Sequence, residues 1–243
     1  VAGALTAEAA NRTAPKPDWS PADMPDQAGR IVLVTGGTSG MGYEDALALS
    51  RAGAEVIIAA RNAERGQEAI ERIREQVPDA RVQFEAVDLA SLASVRSLAE
   101  RLQQRLPRLD VLINNAGYGA MGPLLDGGVE AMRKQFETNV FSIVGVTRAF
   151  FPLLRRSRGL VVNIGSVSAL LVTPFAGAYC ASKAAVHALS DALRMELAPF
   201  SIEVMEVQPG AIASSFGANA SQQAEALIRQ DSPWWPLRDG IRA

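Results

Sequence analysis

The sequence predicts a single α/β domain, a doubly wound parallel sheet with helices on both faces. Three observations predict it. Short aliphatic runs alternate with helix-length segments along most of the chain. Most of those runs are apolar nearly throughout, as parallel strands covered on both faces must be. The first run leads directly into a glycine-rich turn and then a helical pattern, the strand–turn–helix order from which such sheets are built.

The strands are expected at Ile31–Thr35, Glu55–Ala59, Val82–Val87, Val111–Asn114, Leu160–Ile164 and Glu203–Val207. Five are nearly continuous in apolar character, and Val82–Val87 is more mixed. Helices fill the gaps. One opens near Met41, another apolar helical face begins near Val129, and Ala178 to Leu197 reads as a long helix. Between the third and fourth strands, Leu92, Val95, Leu98, Leu102 and Leu106 recur at three- and four-residue steps and form one apolar stripe. Right-handed crossovers then set the topology. Nothing after Phe216 reads as a strand, so the sheet is expected to stop at six. No repeat, low-complexity block or linker follows residue 29, so residues 29–243 are expected to form one domain. Residues 1–28, rich in Ala, Pro and Asp without the layout of a signal peptide, are expected to be a mobile arm that Trp19 and Pro25 are placed to pin.

Composition narrows the function classes. The chain has 243 residues, 24 basic and 26 acidic, and a net charge of −2, so it carries no electrostatic footprint for nucleic acid. No apolar stretch reaches the roughly 18 residues of a membrane helix. Cys180 is the only cysteine and His187 the only histidine, which leaves neither an intrachain disulfide nor a Cys/His metal cluster. A soluble, cytoplasmic protein is expected.

The glycines follow the first strand at once, in the run Thr35-Gly-Gly-Thr-Ser-Gly-Met-Gly42. Glycine lets a backbone approach a pyrophosphate closely, and the next helix presents free N–H groups to it. Gly36, Thr38, Ser39, Gly40, Met41 and Gly42 are therefore candidate dinucleotide contacts. The second strand ends Ala59-Ala60-Arg61-Asn62. An acid here would bind a ribose 2′-hydroxyl, but none is present, and Arg61 suits a 2′-phosphate instead. The cofactor expected is NADP(H) in preference to NAD(H), with Arg65 and Ser39 as weaker candidates beside Arg61. The alternative is that Arg61 is a solvated loop arginine.

Tyr179 and Lys183 lie four apart in the long helix and share a face. A neighbouring ammonium favours phenolate and is expected to lower the tyrosine pKa, making Tyr179 a general acid for carbonyl reduction and a base for alcohol oxidation. Ser166, just past the fifth strand, lies where loops of an open parallel sheet meet ligands.

These motifs together resemble the short-chain dehydrogenase/reductase family. The matching residues are Thr35-Gly-x-x-x-Gly-x-Gly42, Asp88-Leu89, Asn114-Asn115-Ala116-Gly117, Asn139, Ser166, Tyr179-x-x-x-Lys183 and Pro209-Gly210, covering residues 29 to about 215. The resemblance implies a Rossmann-type fold, usually with a seventh strand. It implies Tyr179 as acid/base, Ser166 orienting the carbonyl, and Lys183 holding the nicotinamide ribose. Asn139 would support a proton-relaying water, the alternative being an asparagine that merely kinks its helix. Asp88 and Leu89 would flank the adenine, Asn115, Ala116 and Gly117 would line the cofactor floor, and Pro209, Gly210 and Ile212 would meet the nicotinamide end. Trp19 to Gly117 is similar to retinol-dehydrogenase-like members. Pro123 to Pro236 is similar to acyl-dihydroxyacetone-phosphate reductase and hydroxysteroid dehydrogenase members.

Leu170, Leu171, Val172, Phe175, Phe216, Trp234 and Trp235 suggest an apolar substrate lining, hence a lipophilic ketone; core or interface packing is the alternative for several of them. His187 reads as an exposed or core histidine and Cys180 as a small packed hydrophobe. A homodimer or homotetramer is expected from the family resemblance. The rival class is a non-catalytic NADP(H)-sensing or scaffold protein, and an NAD-linked alcohol dehydrogenase is the rival within the enzyme class.

Overall fold

The computed structural model describes residues 20–210, 212, 228 and 230–237. Six strands, β1 (Ile31–Thr35), β2 (Glu55–Ala60), β3 (Arg81–Ala86), β4 (Val111–Asn114), β5 (Leu160–Ile164) and β6 (Glu203–Val207), form one sheet in the order β3-β2-β1-β4-β5-β6. Every pairing is parallel. Consecutive strands are joined by α1 (Gly40–Arg51), α2 (Ala63–Gln76), α3 (Leu92–Arg105), α4 (Leu124–Phe136) with α5 (Ser142–Ser157), and α6 (Gly177–Leu197).

Side chains alternate across the sheet, and each set finds its own helices. Ile31, Leu33, Ile57 and Leu112 pack with Leu98 and Leu102 of α3 and Phe150 and Leu153 of α5. Val32, Val34, Ile58 and Ile113 pack with Tyr43 and Leu47 of α1 and Ile70 and Ile73 of α2. Val140, Ile143 and Val186 join α5 to α6. The strand order reverses between β1 and β4, and a crevice for a ligand opens at that point, outside the carboxyl ends of the strands.

Expected and observed elements differ in instructive ways. β3 runs one residue earlier than expected and α4 begins five residues before Val129. The α3 stripe is buried from Val95 onward, but Leu92 is 54 % exposed because it sits at the helix start. β6 was expected to be covered on both faces. It is instead the sheet edge among the described residues, with Met205 and Val207 exposed. From Gln27, whose N–H donates to the Ala52 carbonyl at 2.7 Å, the chain is already bonded to the domain. Trp19 and most of the expected arm lie outside the described residues, as does Phe216.

Candidate active site

At the tip of β1 the chain turns through Gly36, which has φ +69°. Thr35, 2 % exposed, ties this turn to the tip of β4. Its hydroxyl donates to the Ile113 carbonyl at 3.2 Å and accepts from the backbone N–H groups of Asn115 and Ala116 at 3.0 and 3.1 Å. The Asn115 amide returns two bonds, to the carbonyls of Thr35 (3.0 Å) and Gly36 (3.2 Å). Gly42 must lack a side chain, since a Cβ there would stand 2.3 Å from that amide nitrogen. The start of α1 carries no side-chain cap from Ser39. Thr38 is half-buried and Ser39 exposed. Asn115 thus braces the glycine turn rather than simply lining a floor.

Arg61 stands exposed just after β2. Its charge is felt by the Tyr118 phenol beyond β4, where it opposes the upward pull of burial. Asn62 caps α2, its side chain accepting from the Arg65 N–H at 2.9 Å. Asp88 folds back on its own turn, accepting from the Ala90 N–H at 3.1 Å while its N–H donates to the Ser94 hydroxyl. Leu89 is buried.

Asn139 lies in a π-turn, Glu137–Phe141, between α4 and α5; such bulges recur at functional sites. Its Oδ1 accepts from the Tyr118 N–H at 3.0 Å, and its amide donates to the Tyr118 carbonyl at 2.9 Å and to Ser182 at 3.1 Å. It is a structural clamp, and it lies beside Lys183: a Cβ on Gly117 would be 3.2 Å from Asn139 Oδ1 and 3.9 Å from Lys183 Nζ.

Ser166 is 6 % exposed and begins a 3₁₀ turn, accepting from the Ser168 N–H. Tyr179 and Lys183 are 8 % and 6 % exposed on α6. Lys183 Nζ donates to the Ile164 carbonyl at 2.7 Å and lies 5.8 Å from the Tyr179 ring centroid. The expected lowering of the tyrosine pKa is corrected here. Burial holds the Tyr179 phenol above its ordinary range, and the hydrogen bond with Ser166 only opposes that rise. Burial also pulls Lys183 down to about 8, against the attraction of Glu206. Desolvation penalises both charged forms, and it outweighs an ammonium turned toward a carbonyl.

The Val167 N–H donates to the Pro209 carbonyl at 3.1 Å, which brings Pro209 and Gly210 alongside the Ser166 turn. Ile212 is 51 % exposed. Leu170, Leu171 and Val172 are 66, 67 and 74 % exposed on the loop that follows Ser166. Phe175 closes that loop with φ +63°. Trp234 and Trp235 are partly buried near a 3₁₀ turn. Cys180 is buried, as expected.

Three participants escaped the sequence reading. The Thr35 hydroxyl is one, although Thr opens the glycine motif. Tyr118 and Glu206 are the others, and the only sequence signal for Glu206 was an acid inside a strand.

A doubly wound sheet with a glycine turn at its switch point and a buried Ser/Tyr/Lys cluster two strands away defines a dinucleotide-dependent oxidoreductase fold. The short chain dehydrogenase family model matches residues 30–225, and the chain belongs to that family. It is 36 % identical over 203 residues to a cyclopentanol dehydrogenase of Comamonas sp., covering 82 % of this chain and 80 % of that one. It is 34 % identical over 195 residues to a dehydrogenase/reductase SDR family member 7B of Xenopus laevis, covering 78 % of this chain but 60 % of the relative's length. Among solved structures, a Pseudomonas aeruginosa RhlG/NADP active-site complex superposes with a TM-score of 0.74 at 38 % identity, covering 84 % and 83 % of the two chains. A Burkholderia phymatum short chain dehydrogenase/reductase in complex with NAD does so with a TM-score of 0.73 at 26 % identity, covering 90 % and 82 %. Among the described residues, no helix is long and apolar enough to cross a membrane, and no His/Cys/Asp/Glu group could hold a metal ion.

Proposed function

We propose that this chain is an NADP(H)-dependent oxidoreductase that interconverts a lipophilic ketone and its secondary alcohol in the cytoplasm, with Tyr179 as acid/base. The observation that carries this reading is the burial of Ser166, Tyr179 and Lys183 together at the carboxyl end of β5, beside Asn139. The residues present fit a nicotinamide dinucleotide. The turn is open at Gly40, where nothing stands within 4 Å of a Cβ position, the start of α1 has no side-chain cap, and Arg61 is exposed just after β2, free to meet an adenosine phosphate. Gly36, Thr38, Ser39, Gly40 and Met41 would cradle the pyrophosphate. Asp88 and Leu89 would flank the adenine, with Asn62 near the ribose. Ala116, Gly117, Pro209, Gly210 and Ile212 would line the path to the nicotinamide, and Asn115 would keep the turn in shape.

When bound, the dinucleotide supplies or accepts the hydride. The chain's own residues handle the proton. Ser166 donates a hydrogen bond to the carbonyl oxygen and aligns it. Tyr179 delivers its phenolic proton to the same oxygen. Lys183 would hold the nicotinamide ribose, and its charge would stabilise the tyrosinate. Asn139, held by Tyr118, keeps the route behind Lys183 polar. Burial raises the Tyr179 phenol, and a charged Lys183 brought closer to it would draw that value back toward the operating pH, where a general acid works best. Leu170, Leu171 and Val172 form an exposed apolar strip beside Ser166 that suits a hydrophobic substrate. Exposed Leu125 and Val129 of α4, and Phe141 and Val144 beside them, support a homodimer or homotetramer.

The test is a panel of hydrophobic and small polar ketones, assayed with NADPH and with NADH. NADPH-dependent turnover of the hydrophobic members supports the reading. Turnover confined to polar ketones or to NADH contradicts it, and tight cofactor binding with no turnover would favour a sensing protein.

A further inference from the structure

Glu206 belongs to β6, opposite Asn163 of β5, and its side chain is 5 % exposed. Oε2 accepts from His187 Nδ1 at 2.7 Å and from Gln208 Nε2 at 3.1 Å. Oε1 is buried with no hydrogen-bond partner among the described residues. That oxygen lies against Gly165, 2.1 Å from where a Cβ would be. Gly165 is therefore the opening through which the carboxylate reaches the Ile164–Gly165 segment. The Ile164 carbonyl there holds the Lys183 ammonium, and Ser166 is the next residue.

His187 is one helical turn beyond Lys183 on α6, so ammonium and imidazole face the same strand edge. The surrounding groups are few. α6 supplies Tyr179, Cys180, Lys183 and His187, with Asp191 and Arg194 flanking the imidazole. The π-turn supplies the neutral Asn139, and β6 supplies Glu206. Among the described residues, Glu206 is the charged group acting on Lys183.

We propose that Glu206 is a positioning residue for the ketone reduction proposed above, on which this inference rests: it is the counter-charge that keeps the buried Lys183 ammonium protonated, and His187 sets how strongly that charge is felt. A buried ammonium keeps its proton more readily when an opposite charge lies nearby. Protonated His187 shares the carboxylate and weakens its pull on Lys183. Neutral His187 leaves the full negative charge to the lysine. Lys183 in turn must be charged to hold a ribose and to stabilise a tyrosinate, so the alkaline limit of reduction is set from β6.

The chain has only three lysines, Lys16, Lys134 and Lys183, and a single histidine, which makes a direct readout practical. Lysine labelled with ¹³C is followed by NMR against pH, with Lys183→Arg providing the assignment. In Glu206→Gln the Lys183 midpoint is expected to fall by about one pH unit, and the alkaline limb of NADPH-dependent reduction to move with it. An unmoved midpoint in a folded Glu206→Gln protein overturns the proposal. The wild type supplies a test that needs no folded variant. The Lys183 resonance should show a second, smaller inflection at the midpoint of the His187 imidazole signal, and its absence overturns the proposal equally. A shifted Lys183 midpoint with no turnover of any ketone would leave the Glu206 counter-charge standing and refute the assigned activity.

Discussion

The tip of β1 is fastened by neutral groups, whereas the tips of β5 and β6 bury charges. At β1, one threonine hydroxyl and one asparagine amide together satisfy backbone groups of both β1 and β4. At β5 and β6, among the described residues, Lys183 is buried on a single carbonyl bond and Glu206 keeps one oxygen unpaired. The first region is fixed by its own hydrogen bonds, which suits the phosphate cradle proposed there. The second holds ionisable groups away from their ordinary behaviour, as acid/base chemistry needs. Stability should therefore be concentrated in the first region and pH sensitivity in the second.

The strongest challenge to that contrast is Thr35→Val. It keeps the shape but leaves the Asn115 and Ala116 N–H groups without their partner. The expected loss is about 2–4 kcal/mol in urea denaturation, together with weaker NADPH binding. A silent Thr35→Val would mean that the neutral lattice does not hold the turn. Arg61→Ala sharpens the same region without touching its frame. NADPH should bind about tenfold more weakly, roughly 1.4 kcal/mol, with NADH unchanged in nicotinamide fluorescence.

The smallest effect tests whether a displaced titration can lie away from the catalytic cluster. Burial, helped by Glu44, raises the Asp45 carboxyl on α1 from 3.8 to about 6. The folded chain holds this proton more tightly than the unfolded one. The associated stability is complete below about pH 4 and is lost as pH climbs through 6. Asp45→Asn should therefore stabilise the protein by about 1 kcal/mol at pH 8, allowing for partial exposure, and by nothing at pH 4.

Much of the fold was legible because buried parallel strands are written as unbroken aliphatic runs. β1, β4, β5 and β6 fall at the expected residues, and β2 and β3 differ by one. The exposed face of β6 was not legible, since an edge strand and a central one can share a sequence. Of the candidate site, the residues that glycine spacing and the Tyr179–Lys183 helical turn place together do come together. The direction of the Tyr179 pKa was not legible. A four-residue spacing shows that two groups are neighbours, but it does not show how deeply both are buried or that the Ile164 carbonyl takes the ammonium. Glu206 was hidden for a similar reason. An acid in a strand reads as a solvent-facing residue until Gly165, on the neighbouring strand's tip, is seen to make room for it.

The central claim is that Tyr179 supplies the proton in a site whose cofactor cradle is independently formed. It is tested most directly by comparing the wild type and Tyr179→Phe, with NADPH binding and ketone turnover measured on the same samples. Unchanged binding and a loss of about 10²–10⁴-fold in kcat/KM are expected. Turnover that survives the substitution, or binding that disappears with it, would contradict the account.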